Sequence, residues 1–361
     1  IVQDLLDKQS TRDSISDTEI DEQVHKTYSA KDVLGLEISE LEKLSVRNEL
    51  LADNKIRLEP GVAIVPRSHK RWFEERKSEL DLAYWGRFKE FLVKDNGFPV
   101  NVVAQMDRVS DEIVDLLGDP TRTEEREQRR GLIIGDVQSG KTVNYSGIIC
   151  KAVDSGFRVV ILMTGTTNDL RKQTQIRLDE AFVGRDTGSE TLNFIGAGRY
   201  NKKLNPVSFT TAEKDFSKSA AKQLNSQLSQ ADGDRPMLFV IKKNVAVLKS
   251  LLEWTKTNNQ YGENKTDGSV LMIDDEADDA SINTKAAGED RSTTNAYIVE
   301  LLNVFRFASY VGFTATPYAN VFIDPETDED MKNEGLFPKD YIYTLSAPSN
   351  YIGARNIFPK N

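Results

Sequence analysis

Eight consecutive residues combine small, cationic and hydroxyl side chains in the spacing of a phosphate-binding P-loop. They are Gly135, Asp136, Val137, Gln138, Ser139, Gly140, Lys141 and Thr142. A strand-like run precedes them and a helix-like run follows, so backbone N–H groups and a helix N-terminus could surround nucleotide phosphates. In this interpretation Lys141 contacts the β- and γ-phosphates of ATP and Thr142 binds Mg²⁺. The alternative is a glycine-rich structural turn.

A second candidate is an apolar run that ends in acids, "VLMIDDEAD", Val270 to Asp278. If this run is a buried strand of a parallel sheet, its carboxylates reach the same edge as the P-loop. Asp275 would then orient Mg²⁺, and Glu276 would polarise the attacking water. A register in which Asp274 shares the metal with Asp275 stays open. The apolar residues directly before the acids disfavour a solvated acidic surface.

A third strand-like run leads into small hydroxyl residues, "GFTATP", Gly312 to Pro317. Beside the two motifs above, Thr314, Ala315 and Thr316 are expected to sense the nucleotide state and to hydrogen-bond to the acidic segment. The alternative is an ordinary turn at the end of a strand.

Two further strand ends carry polar and basic residues that could grip a phosphodiester backbone. The candidates are Thr164, Gly165, Arg171 and Lys172 in "ILMTGTTNDLRKQTQIRL", and Lys242 and Lys243 in "FVIKKN". The chemistry of an ordinary βα loop explains these residues nearly as well.

In chain order, these motifs resemble motifs I, Ia, II and III in the first RecA-like lobe of superfamily-two helicases, with the DEAD form of the acidic motif. Longer phrases are similar to the Z-one domain family, bacterial helicase-like proteins with a proposed endonuclease activity. The phrases are "YWGRFKEFL", "RRGLIIGDVQSGKT", "VIKKNVAVLKSLLEW", "GFTATPYANVFID" and "LFPKDYIYTLSAPSNYIGA". The resemblance covers most of residues 85–354. It implies that the protein acts on nucleic acid, with DNA favoured over RNA, in a restriction or anti-phage system. It also implies a GHKL-type ATPase or a methylase as partner.

Two features of that family type have no counterpart in this sequence. A superfamily-two motor completes its site with arginines from a second lobe, in a Gln-x-x-Gly-Arg-x-x-Arg pattern, which we expect outside this chain or in a partner. A convincing nuclease set of acids and a lysine is also missing, since Glu75 and Lys77 lie in a helix-like run. An ATPase acting on nucleic acid is therefore the leading hypothesis. The alternatives are a nucleotide-gated interaction scaffold and an ATP-controlled DNA endonuclease.

The elements that must position these residues are short apolar runs separated by helical patterns, which predict a doubly wound α/β domain with a mostly parallel sheet. The resemblance implies that this domain is a RecA-like P-loop NTPase lobe. The expected strands are "GLIIG", "RVVILMTG", "LNFIG", "PMLFVIKK", "VLMIDDEAD" and "YVGFTATP". Helices are expected over 32–51, 68–99 and 100–120, a charged connection over 121–130 and a surface excursion over 202–235. The expected domains are a helical region (1–125), the ATP-binding lobe (126–330) and the start of a following segment (331–361).

Composition narrows the classes of function. The chain of 361 residues has a net charge of −10, which argues against a uniformly basic nucleic-acid-binding surface and leaves room for a local groove. A single cysteine and two histidines make a disulfide framework or a zinc site improbable. Without an apolar run long enough to span a bilayer or a signal peptide, a cytoplasmic protein with no membrane partner is expected.

Overall fold

The protein is described by a computed structural model that covers much of the chain. The described residues are 22, 61–66, 69–122, 127–135, 141–227, 235–258, 266–278, 293–316 and 336–345. The helix expected over 32–51 and the P-loop residues 136–140 lie outside them.

Eight strands in this part of the chain form one sheet, in the order β1-β8-β2-β7-β6-β3-β5-β4. They are β1 (Val62–Ile64), β2 (Glu127–Ile134), β3 (Val159–Thr164), β4 (Val207–Ser208), β5 (Met237–Lys242), β6 (Thr266–Asp275), β7 (Phe305–Thr314) and β8 (Tyr341–Thr344). All neighbouring pairs are parallel except β1 and β8. The α/β class with a mostly parallel sheet is therefore confirmed, and the RecA-like character stays a prediction.

Helices cover both faces of the sheet. They are α1 (Phe73–Arg76), α2 (Ala83–Lys94), α3 (Val100–Leu117), α4 (Lys141–Asp154), α5 (Asn168–Leu178), α6 (Lys218–Gln227), α7 (Val245–Asn258) and α8 (Thr293–Val304). Residues of α2, α3 and α4 form a core on one face of the sheet, and residues of α7 and α8 form a core on the other. This is the layered arrangement expected of a doubly wound sheet.

Successive residues of the central strands enter opposite cores. In β6, Leu271 and Ile273 join the core with α4, whereas Val270 and Met272 join the core with α7 and α8. Strands that are buried on both faces read as continuous apolar runs, which is why this segment was recognisable in the sequence. Burial of both faces fixes β6 in place, and β6 delivers the acids that follow it to the carboxyl edge of the sheet.

The helix that begins at Lys141 is anchored by a buried ion cluster. Lys151 of α4 has no exposed side-chain surface and forms ion pairs with Asp107 and Asp111 of α3. Because the buried charge of Lys151 is compensated by these two carboxylates, the cluster ties α3 to α4.

The stretch 68–99 is not one helix, which corrects the expectation from its periodicity. A 3-10 turn follows α1, and α2 starts only at Ala83. Asp154 of α4 accepts hydrogen bonds from the N–H groups of Tyr84 (3.0 Å) and Trp85 (2.9 Å). These bonds satisfy free donors in the first turn of α2, so tertiary contact places the helix start where the sequence shows no cap.

The run "LNFIG", residues 192–196, is not a strand, and the expectation for it was wrong. Phe194 forms an isolated antiparallel bridge with Arg185. Gly196 has φ 49°, and a Cβ there would lie 2.3 Å from the carbonyl oxygen of Glu180. The chain therefore leaves the extended conformation at a position that only glycine can occupy.

Two polar stretches contribute more structure than expected. The supposed surface excursion 202–235 contains β4, and Phe209 within it is buried and stacks on Phe239 with ring centroids 4.7 Å apart. Likewise β2 begins at Glu127, inside the expected charged connection. The buried ring of Phe209 ties the first stretch to the core, whereas pairing with β7 extends β2 into the second.

The expected domain boundaries near residues 125 and 330 stay predictions. Within the described residues, α2 and α3 share a core with α4, and β8 pairs with β2 inside the sheet. Among the helices described, none has the length and apolar character needed to cross a membrane.

Candidate functional site

The carboxyl ends of β2, β7 and β6 lie side by side and carry the main candidate residues. Ile134 is the register partner of Thr314, and Phe313 is the partner of Asp275. The Gly135 N–H continues this pairing by donating to the Thr314 carbonyl oxygen at 3.0 Å. Because β7 lies between them, about two strand spacings, or ~10 Å, separate the start of the P-loop from Asp275.

The charge of Lys141 acts on the Asp275 carboxyl across this edge. Lys141 and Thr142 are the first two residues of α4. Burial raises the pKa of the Asp275 carboxyl, and the positive charge of Lys141 opposes that shift. The structure thus brings a cation, a hydroxyl group and a carboxylate to one edge of the sheet.

Thr142 has a partner that sequence reasoning missed. Arg177, in the last turn of α5, donates a hydrogen bond from Nη1 to Thr142 Oγ1 at 2.9 Å. The sequence of α5 contains no signal for this contact, because it depends on how α5 packs beside α4. A second cation therefore stands at the start of α4.

Asp274 lies inside the protein and not at the edge. Its side chain has no exposed surface, and its Oδ1 atom is 3.1 Å from Lys243 Nζ. Its Oδ2 atom accepts a hydrogen bond of 2.6 Å from the hydroxyl of Tyr310. Since the protein engages both carboxylate oxygens, the geometry disfavours a metal shared between Asp274 and Asp275.

Glu276 leaves the strand in a left-handed backbone conformation, with φ 58°. This conformation is uncommon for a residue with a side chain. A Cβ at Gly165 would lie 2.7 Å from Glu276 Oε2, so the carboxylate rests against the Gly165 backbone at the end of β3. Glu276 is exposed. It presents a solvent-accessible carboxylate next to Asp275, so a water molecule at this edge of the sheet can reach it.

The hydroxyl residues at the end of β7 bind Asp278, the last acid of the acidic segment. The Thr314 hydroxyl donates to Asp278 Oδ1 at 2.7 Å, and the Thr316 hydroxyl donates to Oδ2. Burial acts to raise the pKa of Asp278, but these two hydrogen bonds outweigh it and lower the pKa below its usual value. Ala315 lies between the two threonines. The contact with the acidic segment is therefore present, and its role in sensing nucleotide stays a prediction.

Arg171 and Lys243, expected to grip nucleic acid, are buried. The Arg171 guanidinium donates to the carbonyl oxygens of Thr211 (2.8 Å) and Ala212 (2.7 Å), and only 3% of the residue is exposed. Lys243 pairs with Asp274 as described above. Both side chains bind backbone carbonyl oxygens inside the protein. They therefore do not contribute to the local basic groove that the sequence suggested.

The other candidates for nucleic-acid contact differ in how far they are exposed. Thr164 is buried, and its hydroxyl donates to the Ile241 carbonyl oxygen at 3.3 Å. Lys172 reaches the surface but forms an ion pair with Glu213. Lys242, at the end of β5, is partly buried. Together these side chains do not build a continuous basic surface.

The residues at the edge fit a Mg²⁺ ion that is held mainly by a nucleotide. In the described part of the chain, no group of three or more His, Cys, Asp or Glu side chains is arranged as a metal cage. Mg²⁺ at nucleotide sites typically uses one or two carboxylates together with phosphates and water, and needs no such cage. Asp275, with the hydroxyl of Thr142, matches that smaller set of ligands.

A comparison of the chain with models of known protein families gives no match, and a comparison with curated proteins gives none either. The resemblance of the motifs to helicase-like proteins therefore stays a prediction. What the site can do must be argued from its geometry.

Proposed function

We propose that this chain is the ATP-binding lobe of a helicase-like ATPase in a bacterial restriction or anti-phage system. Its substrate is nucleic acid, and DNA is favoured over RNA. The observation that supports the ATPase part best is that Lys141, the first residue of α4, and Asp275, the last residue of β6, lie at the same edge of a parallel sheet. The nucleic-acid and defence parts depend on the resemblance of the motifs alone.

The residues at this edge would bind the nucleotide and direct water to it. Lys141 contacts the β- and γ-phosphates, and Thr142 and Asp275 hold Mg²⁺. The bound ion supplies neutralisation of the charge on the phosphate oxygens. Glu276 orients a water molecule and accepts its proton as the water oxygen bonds to the γ-phosphorus and the bond to the bridging oxygen breaks.

Thr314 would couple the P-loop to the acidic segment. Its carbonyl oxygen accepts the Gly135 N–H at the start of the P-loop, and its hydroxyl binds Asp278. A movement of the P-loop on binding or losing phosphate would therefore reach the acidic segment through one residue.

ATP binding and hydrolysis by the full-length protein test the proposal. With Mg²⁺ present, Lys141→Ala should weaken binding at least about tenfold, because it deletes a charge-assisted contact with the phosphates. Lys94→Ala, which removes an exposed lysine of α2 that pairs with Glu90, is the matched control. Equal ATP affinity of the Lys141→Ala variant and the wild type would refute the nucleotide site.

A nucleotide-gated interaction scaffold is the second candidate. It is favoured by the engagement of Arg171, Lys172 and Lys243 within the protein, since these were the cations expected to grip nucleic acid. Measuring ATPase activity with duplex DNA, single-stranded DNA and RNA separates the two functions. Stimulation supports the motor, and its absence with all three supports the scaffold.

A further inference from the structure

The ammonium group of Lys243 contacts three consecutive residues of one short segment, Asp274 to Glu276. Its Nζ atom lies 3.1 Å from Asp274 Oδ1 and donates to the carbonyl oxygens of Asp275, at 2.9 Å, and of Glu276. A lysine has three N–H donors and no acceptor, and at least two of them are directed to the carbonyl groups of this segment. Lysine is rarely fully buried without a partner, and here its side chain has no exposed surface.

The segment that Lys243 holds is also the one with an unusual backbone. Glu276 has φ 58°, and the next N–H, that of Ala277, donates to the Phe313 carbonyl oxygen at 2.9 Å. The left-handed residue ends the extended run of β6 and redirects the chain toward β7. Such a conformation persists only where its surroundings hold it.

The two carbonyl contacts lie on either side of the Glu276 α-carbon. Fixing the carbonyl groups of residues 275 and 276 fixes the orientation of the peptide groups before and after Glu276. These two orientations set the direction in which the Glu276 side chain leaves the backbone. Its carboxylate consequently rests beside Gly165, at the exposed carboxyl edge of the sheet.

We propose that Lys243 is a positioning residue for Glu276, whose ammonium group holds the left-handed turn that directs the Glu276 carboxylate to the edge of the sheet. The ion pair with Asp274 keeps the ammonium in place beneath the turn. Its effect on hydrolysis rests on the proposed ATPase function, whereas its effect on the turn does not.

The turn can be tested without nucleotide, by hydrogen–deuterium exchange of the full-length protein. The test variant is Lys243→Met with Asp274→Asn, which removes the brace without leaving a buried carboxylate unpaired. Exchange at the Ala277 amide should rise about tenfold or more, because local opening of the turn becomes easier. The control is Tyr310→Phe, which removes the hydroxyl bond to Asp274 and leaves Lys243 intact. Its Ala277 exchange should match the wild type.

Unchanged exchange in the folded double variant, or an equal rise in Tyr310→Phe, would overturn the proposal. If the double variant does not fold, Lys243→Gln with Asp274→Asn replaces it, because this pair also leaves no buried carboxylate unpaired and a neutral amide reproduces the ammonium contacts only in part. Exchange at Ala277 should then exceed that of Tyr310→Phe, and equal values count against the proposal.

A kinetic cycle tests whether Lys243 acts through Glu276. The Lys243→Met and Asp274→Asn double variant should lower kcat for ATP hydrolysis about tenfold or more while the ATP dissociation constant stays within about twofold. Added to Glu276→Gln, it should cause no further loss, because both changes disable the same group. Losses that multiply would show an independent role for Lys243. A wild-type protein that binds no ATP would contradict the proposed ATPase function and leave the exchange result standing.

Discussion

Arg177 donates a hydrogen bond to the hydroxyl of Thr142, with 2.9 Å between Nη1 and Oγ1. Thr142 is the residue that the P-loop pattern assigns to Mg²⁺. A guanidinium group and a divalent cation repel each other at contact distance, so the two do not share one oxygen favourably. Arg177 is therefore expected to compete with Mg²⁺ for Thr142.

Replacing Arg177 with alanine should strengthen binding of ATP with Mg²⁺ by roughly twofold to fivefold, the range expected for an exposed charged contact. Titrations with Mg²⁺ and with EDTA separate the metal-dependent affinity from the affinity for free ATP, which should not change. Arg199→Ala is the control, because Arg199 is an exposed arginine that pairs with Asp95. Weaker binding of both forms of ATP would instead assign Arg177 to the phosphates.

Glu276→Gln separates catalysis from binding. Glutamine keeps the shape of the side chain but cannot accept the proton of the attacking water, so kcat should fall about a hundredfold or more. ATP affinity should stay close to that of the wild type, since Glu276 is not assigned to the phosphates. Single-turnover hydrolysis and equilibrium binding measure the two effects. An equal loss of binding in Glu276→Gln and Lys141→Ala would show that the roles are misassigned.

The sheet was largely predictable because its central strands are apolar on both faces. Five of the expected strands correspond to β2, β3, β5, β6 and β7. The short strands β1, β4 and β8 were missed, since a run of two to four residues is too short to show a period. The order of the strands was not predictable either. That β7 separates β2 from β6 depends on long-range pairing that no local pattern encodes.

For the candidate site too, local sequence signals identified some residues, and contacts between distant segments hid the others. Lys141, Asp275 and Glu276 were identified because motif spacing and an apolar run ending in acids are local signals. Lys243 was offered as a candidate for nucleic-acid contact and its burial was not foreseen, because lysines at strand ends are usually exposed and its partner Asp274 lies on another strand. Arg177 was missed because its partner is on a neighbouring helix. Both errors concern contacts made only after folding.

Thr314→Val should weaken the link between the P-loop and the acidic segment. Valine matches the shape of threonine but removes the hydroxyl that donates to Asp278 and accepts the Thr316 N–H. The free energy of unfolding should drop by about 1 kcal/mol for the lost hydrogen bonding. ATP affinity should change little, whereas nucleic-acid stimulation of hydrolysis should fall. Thr316→Ser, which keeps a hydroxyl, is the control. Full stimulation in a folded Thr314→Val variant would remove Thr314 from the coupling.

Gly165→Ala should impair hydrolysis without unfolding the protein. The added Cβ would lie 2.7 Å from Glu276 Oε2, so the carboxylate must move, and a side-chain end moves at little cost to stability. A displacement of about 1 Å at a reacting group can cost up to about a hundredfold in rate, so kcat should fall while Tm and ATP affinity are kept. Gly86→Ala in α2 is the matched control, because a Cβ there meets no atom within 4 Å. It should leave kcat unchanged and Tm equal or slightly higher, since alanine favours a helix over glycine. Wild-type kcat in Gly165→Ala would mean that the position of the Glu276 carboxylate beside Gly165 does not matter for the reaction.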